Sequence, residues 1–536
     1  MFDWTWPGPT ITYVIPWYGP HIPGGAEMAC RRSAEELSVR GVPVEVWTTT
    51  AGGLSSDWSQ PAFAPGCSTV NGVAVRRFAV RPRRAEAFDA LNTRLLAGET
   101  LSLRDEAVFV REIIGSDTLE QAIVAERAQR IFIFIPYMFG TSYWGAQLAR
   151  RAFLIPCLHD EAYAYMHLYQ LALGAAHGLI FHAPAEERFA HQIGVVGRKP
   201  TVCLGVGVET GYTGDAARFR ARFGIHAPFV LYAGRRDATK NTPLLFAGFR
   251  HYREQGGTLQ LVCIGGPGEA LPADLVAQGA AHDLGFVGVA EKFDACAAAS
   301  ALCQPSLHES FSIVLMEAWI AGTPALVHSD CTVTREFCAM SGGGLDFRDA
   351  EGFSRQLSAI VADAENARRM GAAGRAFVLA NYTWDTVLFA PTGVFASCYM
   401  TTRIHMMTAA LAPGDAIGNY IQSLVPILRD FGFAVSLYAD LSNDNYPLAH
   451  QFSHSYRPTG DDLLWLHYSI YSDNIRWLRE SPISRLSTRR MFARPTSSTA
   501  MMPGWRISAH AARLRSIPLR PTSTGRSYIP SMCATI

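Results

Sequence analysis

The chain has 536 residues, 49% hydrophobic and 17% charged, with a formal net charge of +1. That length exceeds one hydrophobic core, so roughly two to four domains are expected, and the composition excludes a largely disordered chain. The +1 hides a split: residues 481–536 hold nine arginines and no Asp, Glu or Lys, which leaves −8 on the rest, an acidic body that argues against a nucleic-acid partner.

Apolar runs such as Ile131–Ile135 are strand-sized, so no transmembrane helix is expected. The opening MFDWTWPGPT has no basic region followed by an apolar run, so no signal peptide is read. The eleven cysteines form no CxxC pair, which fits a reduced, cytoplasmic protein.

In chain order, Ile11–Ile15 reads as a strand, Ala26–Arg40 as an amphipathic helix ended by Gly41, and Val42–Thr48 as the next strand: a βαβ opening. Ile131–Ile135, Phe153–Cys157, Gly178–His182 and Thr201–Leu204 read as buried parallel strands. Gly205–Gly211 reads as a break between domains. A second alternation begins with strands at Phe229–Ala233, Leu259–Ile264, Ala301–Gln304 and Ala325–Val327. The expected fold is α/β: two Rossmann-like, doubly wound domains (1–209 and 210–389) facing a cleft.

Beyond residue 390 the pattern restarts. Placing Gly432 on Gly41 aligns Val435 with Val44, Tyr438 with Trp47 and Leu428 with Leu37, and the loop PGGAE (23–27) is answered by PGDAIGN (413–419). Residues 390–480 are therefore expected to be an incomplete third α/β segment, the truncated start of a second unit, and 481–536 a disordered Arg/Ser/Thr/Pro tail.

The most specific chemical signal is HESFSIVLMEAWIAGTP (308–324). Glu309 and Glu317 lie in an otherwise apolar stretch, with Ser310 and Ser312 placed to cap a helix from about Ile313 to Ala321. Glu309 is expected just before that helix and Glu317 a turn inside it, both facing one cleft at a helix N-terminus suited to an anion. A capping acid and an internal ion pair are the competing reading. In GRRDATKN (234–241), Arg235 and Lys240 follow a strand and can neutralise a departing diphosphate. The loop IPGGAE (22–27) brings Gly24 and Gly25 to a helix start, where backbone can approach a phosphate or sugar, although a plain tight turn explains it equally well. In LHDEAY (158–163), His159 follows a strand, with Asp160 or Glu161 able to orient it.

Together these segments resemble the family 4 retaining glycosyltransferases, a GT-B group, over residues 10–389. The resemblance rests on the E-x7-E segment, the G-R-x-x-x-x-K loop, the N-terminal GG loop and GGPG (265–268). It implies that Glu309 and His159 face the donor sugar, that Glu317 binds the ribose, and that Arg235 and Lys240 hold the diphosphate. It also implies that the amides of Phe311 and Ser312 reach the donor. Asn241 stands where the family usually has glycine, and NYTWDTVL (381–388) looks like the closing helix. No metal and no cofactor are expected beyond the nucleotide sugar as substrate, since the chain has no D-x-D pair. The expected partners are a nucleotide-diphosphate sugar and a glycan or glycolipid acceptor, with no nucleic acid. The expected place is the cytoplasm, with peripheral association at the inner face of a membrane left open. A GT-B epimerase and a binding-only pseudoenzyme are the alternatives.

Overall fold

The computed structural model describes residues 8–389 except Arg198 and Pro267, and 403–489 except 431–432, 444, 458–462 and 469–483. The chain divides into two compact units, 1–399 and 400–536.

The first unit holds two sheets. The strands of the first are β1 (Thr10–Val14), β2 (Val44–Thr49), β3 (Gly66–Val70), β4 (Val73–Phe78), β5 (Arg130–Phe134), β6 (Ala152–Leu154), β7 (Gly178–Phe181) and β8 (Thr201–Cys203). Their order is β3-β4-β2-β1-β5-β6-β7-β8, parallel except for the β3–β4 hairpin. β1 is central: Ile11 pairs with Val44 on one side and Ile131 on the other. With both faces covered, its TITYV sequence is β-branched and apolar throughout, and Ile11, Tyr13 and Val14 are buried.

Six strands form the second sheet: β9 (Phe229–Ala233), β10 (Gln260–Ile264), β11 (Ala281–Asp283), β12 (Ala301–Gln304), β13 (Ala325–His328) and β14 (Gly344–Phe347). All are parallel, in the order β11-β10-β9-β12-β13-β14. Both sheets therefore reverse their strand order beside the first strand, as a doubly wound fold does, and ligands bind at that reversal. The expected strands are present with ends shifted by a few residues. The hairpin, β11 and β14 were not anticipated.

The helices that matter below are α1 (Gly25–Val39), α2 (Ala85–Leu96), α3 (Leu103–Glu112), α4 (Asp117–Glu126), α5 (Pro184–Gln192), α6 (Val289–Ala298), α7 (Ile313–Ile320), α8 (Ala364–Asn381) and α9 (Trp384–Phe389). α2 to α4 fill the interval between β4 and β5, which the sequence left unassigned. Ser102 and Ser116 cap α3 and α4 by accepting from the amides of Asp105 and Leu119.

The chain passes between the two sheets twice. The first passage follows β8 and the second lies between α8 and α9, and they touch: Val208 bridges Thr383 and donates to Tyr382 O at 2.8 Å. A side chain at Gly205 would strike Tyr382, and one at Gly207 would strike Trp384. α9 then packs back onto α1, where Arg40 Nη2 meets Asp385 Oδ1 at 2.6 Å and the Arg32 guanidinium lies 6.0 Å from the Trp384 ring centre.

In the second unit, β15 (Arg403–Leu411), α10 (Ala416–Asp430), β16 (Ala434–Ser442), β17 (Gln451–Phe452), β18 (Leu463–Tyr468) and β19 (Ser484–Arg489) build a parallel sheet in the order β17-β16-β15-β18-β19. Ile404 pairs with Val435 and with Leu463, as Ile11 pairs with Val44 and Ile131. Ile404, Met406, Ile421, Val425 and Leu437 form its core. Ser484–Arg489, six residues of the segment expected to be disordered, form the edge strand β19 and pair with β18 along one side. Gly432 and the rest of the 481–536 segment lie outside the described residues.

Candidate active site at the cleft between the two domains

The loops at the carboxyl ends of β1, β6, β9 and β12 converge on a cavity of about 920 Å³. That is ample for a nucleotide sugar with room beside it. His159, Arg235, Lys240, Glu309, Phe311, Ser312 and Gly25 all line it.

Glu309 follows β12 and takes hydrogen bonds from two neighbouring elements. Lys240 Nζ reaches its Oε1 at 2.6 Å and Gln304 Nε2 at 2.8 Å. Burial pushes its pKa up, but the Lys240 ammonium and hydrogen bonds from Lys240, Ser306 and Gln304 outweigh that and hold it below the ordinary carboxylate value. Glu309 is thus an ionised carboxylate at the cavity wall.

Lys240 is placed by its loop. Asp237 accepts from the Lys240 amide at 3.0 Å and so closes the turn Ala238–Lys240. Arg236, which the sequence reading passed over, anchors the loop: its guanidinium is buried, with Asp283 at 2.9 and 2.5 Å and Glu269 O at 2.9 Å. Arg235 is left half-exposed at the cavity, with Asp237 at 3.5 Å. Asn241 has φ 55° and ψ 35°, the left-handed region, which explains why glycine suits this position, and its Nδ2 donates to Pro305 O at 3.1 Å.

His159 Nδ1 lies 3.0 Å from Glu161 Oε1, so Glu161 rather than Asp160 orients the ring; Asp160 bonds Tyr165 instead. Burial lowers the His159 pKa, but Glu161, Glu186 and Glu309 together raise it above the ordinary value. The loop carrying it is pinned from below by Glu186 on α5, which accepts from the amides of Leu158 and His182, each at 2.7 Å. Burial raises the Glu186 pKa to about 7.

Three expectations need correction. Glu317 does not line the cavity: it is buried and its Oε1 meets Lys292 Nζ of α6 at 2.5 Å. Four positions into α7, it has rotated towards α6, and the competing reading of an internal ion pair describes what it does here. Burial still raises its pKa despite Lys292. Ser312 occupies the N-cap position of α7 but caps nothing, because φ 69° and ψ 78° turn its side chain away from the first-turn amides. Its buried Oγ has no hydrogen-bond partner among the described residues. Gly24, at φ 136°, does not line the cavity either: the Glu27 carboxylate fills the space where its Cβ would sit.

Sequence reasoning missed Glu27, Arg83, Asn92, His182 and the aromatic residues Trp58, Phe88 and Phe139, which line the same cavity from the first domain. They come from α1, the loop after β2, α2 with the residues before it, and the loops after β5 and β7, which only the tertiary fold brings together. Burial lowers the His182 pKa to about 4, so its ring is neutral.

Residues 215–377, which contain Arg235, Lys240, Glu309 and Glu317, match the family described as Glycosyl transferases group 1. The chain carries a group 1 glycosyl transferase domain. Similar curated proteins include the D-inositol 3-phosphate glycosyltransferases of Xylanimonas cellulosilytica, 28% identical over 193 residues, and of Streptomyces avermitilis, 30% identical over 242. These cover 34% and 41% of this chain, and the matched part spans about half the relatives' length, 45% and 51%. Among solved structures, sucrose-phosphate synthase from Thermosynechococcus elongatus is similar at TM-score 0.54 and 19% identity, over 73% of this chain and 99% of that one. Anabaena HepE in complex with UDP and glucose is similar at TM-score 0.53 and 15% identity, over 73% of this chain and all of the other. The group 1 domain and the domain before it thus form a GT-B fold. Among the described residues no group of three His, Cys, Asp or Glu side chains could hold a metal, and no helix is long and apolar enough to cross a membrane.

Proposed function

We propose that the first unit transfers a sugar from a nucleotide-diphosphate sugar to a glycan or glycolipid hydroxyl, with retention at the anomeric carbon. One observation carries the reading: Lys240, Arg235 and Glu309 meet at one wall of a cleft cavity inside the group 1 domain match. A diphosphate bound there finds two cations, and charge building on its leaving oxygen is met by Arg235, Lys240 and the uncapped start of α7. Glu309 and His159 then face the donor sugar. Glu317 takes the ribose only by sharing or leaving Lys292. No metal is assigned, and the transfer is placed at the cytoplasmic side, where the acceptor can lie on a membrane surface. The second unit, whose strand order repeats that of the first domain, is read as the start of a further unit of the same kind.

The test is a screen of nucleotide sugars, UDP-glucose first because HepE is known with UDP and glucose, and of acceptors including D-inositol 3-phosphate, the substrate named in the curated relatives. Thermal stabilisation by a donor and a new glycosidic product with retained configuration are expected. Conversion of the donor to an epimer without acceptor would favour the epimerase, and binding without turnover the pseudoenzyme.

A further inference from the structure

One cavity carboxylate, from the first domain, is not yet assigned a role. Glu27 lies in the first turn of α1 and lines the cavity together with Trp17, Gly25 and Ala26. The Trp17 indole donates to its Oε1 at 2.5 Å, and its Oε2 packs over Gly24. Gly24 is therefore a glycine for two reasons: its left-handed φ and the need to leave room for this carboxylate. Two contacts fix the side chain in one place, and a carboxylate retains lone pairs for a further donor.

Its position says what that donor is. The groups suited to a nucleotide diphosphate, Arg235, Lys240 and Glu309, come from the second domain. Glu27 comes from the first, where the ring of its partner Trp17 lies 5.7 Å from the Trp58 ring, centre to centre. Trp58 and Phe88, whose rings offer apolar faces, and Asp57 and Asp89, further acceptors, line the same cavity. Aromatic faces with carboxylates beside them suit a polyhydroxylated ring, with its C–H face stacked and its hydroxyls donating. Burial raises the Glu27 pKa, while the Trp17 hydrogen bond, Arg235 and Arg31 act against it. We infer that Glu27 is an acceptor-binding residue, taking a hydrogen bond from a hydroxyl of a sugar or polyol acceptor and so turning that acceptor towards the donor. This inference rests on the glycosyl-transfer reading.

Glu27→Gln keeps an oxygen for Trp17 but places an amide donor at the other position; Glu27→Asp keeps the charge but withdraws it. Transfer from the donor that wild-type protein turns over is measured to methyl α-D-glucopyranoside, methyl α-D-mannopyranoside and myo-inositol, alongside the melting temperature and nucleotide-diphosphate affinity. The expected result is an acceptor KM raised about 10- to 100-fold in Glu27→Gln, as for a lost charge-assisted hydrogen bond, with Glu27→Asp in between and nucleotide affinity and melting temperature near wild type. An unchanged acceptor KM in Glu27→Gln overturns the inference. So does wild-type protein that turns over its donor but glycosylates none of the three probes. Wild-type protein that binds no nucleotide sugar fails the transfer reading itself, a separate outcome.

Discussion

Lys240 and Glu309 are bonded across the cleft wall, Nζ to Oε1 at 2.6 Å, although they arise from loops after different strands. Lys240 holds the Glu309 carboxyl pKa below its ordinary value, and the contact ties the two loops together. A donor diphosphate arriving at Lys240 must share it with Glu309, which puts the carboxylate beside the sugar that follows. Glu309→Ala and Lys240→Ala are each expected to slow transfer by ~10²-fold or more. Arg235→Ala should do the same, and steady-state kinetics checks all three. Activity should persist in EDTA; loss that manganese restores would overturn the metal-free assignment.

Glu317→Ala has a different expected signature. Removing it leaves the half-buried Lys292 without its partner, so the melting temperature should fall, and donor KM should rise more than kcat falls. Kinetics and calorimetry on the same preparation separate the two effects.

The His159 ring should report on Glu161. Burial depresses its pKa and the surrounding carboxylates more than offset this, so Glu161→Gln should bring the titration midpoint down. An NMR titration of the His159 ring measures it, and an unmoved midpoint would remove Glu161 as the orienting group.

Glu186 ties stability to pH. Its pKa rises from 4.5 to about 7 on folding, so the folded chain favours the neutral acid. The stability this contributes is fully present below about 4.5 and is lost as pH climbs through about 7. The melting temperature of Glu186→Gln should therefore fall less between those two pH values than that of wild type.

At Asn241 two effects oppose each other. Glycine would relieve the left-handed backbone but give up the bond to Pro305 O, so Asn241→Gly should change stability by less than about 1 kcal/mol. Asn241→Ala loses the bond and keeps the strain, and should cost about 1–2 kcal/mol in denaturant unfolding.

Much of the site was legible because its residues sit in loops that directly follow readable strands. β9 and β12 fall on the residues expected, and the loops after them bring Arg235, Lys240 and Glu309 together. The hairpin was legible but overlooked: Asn71 and Gly72 both take positive φ, as an Asn-Gly pair between apolar runs signals. Other features had no local signal. Nothing near Glu317 says that Lys292, 25 residues earlier, will claim it. Nothing near Ser312 announces its left-handed backbone, since serine before a helix ordinarily caps. Glu27 closes the glycine loop 22–27, and only the fold brings it into one cavity with Glu309.

The bridge between Val208 and Thr383 has a mechanical consequence. The two passages between the domains lie against each other like the leaves of one hinge pin, with Tyr382 and Trp384 filling the spaces that Gly205 and Gly207 leave. Turning one domain about that line stretches neither passage, whereas sliding it sideways would shear the bridge and drive the rings into the opposite backbone. Any opening of the cleft about that line would carry Arg235 and Lys240 on an arc relative to the first domain's aromatic residues, as a door moves on its hinge.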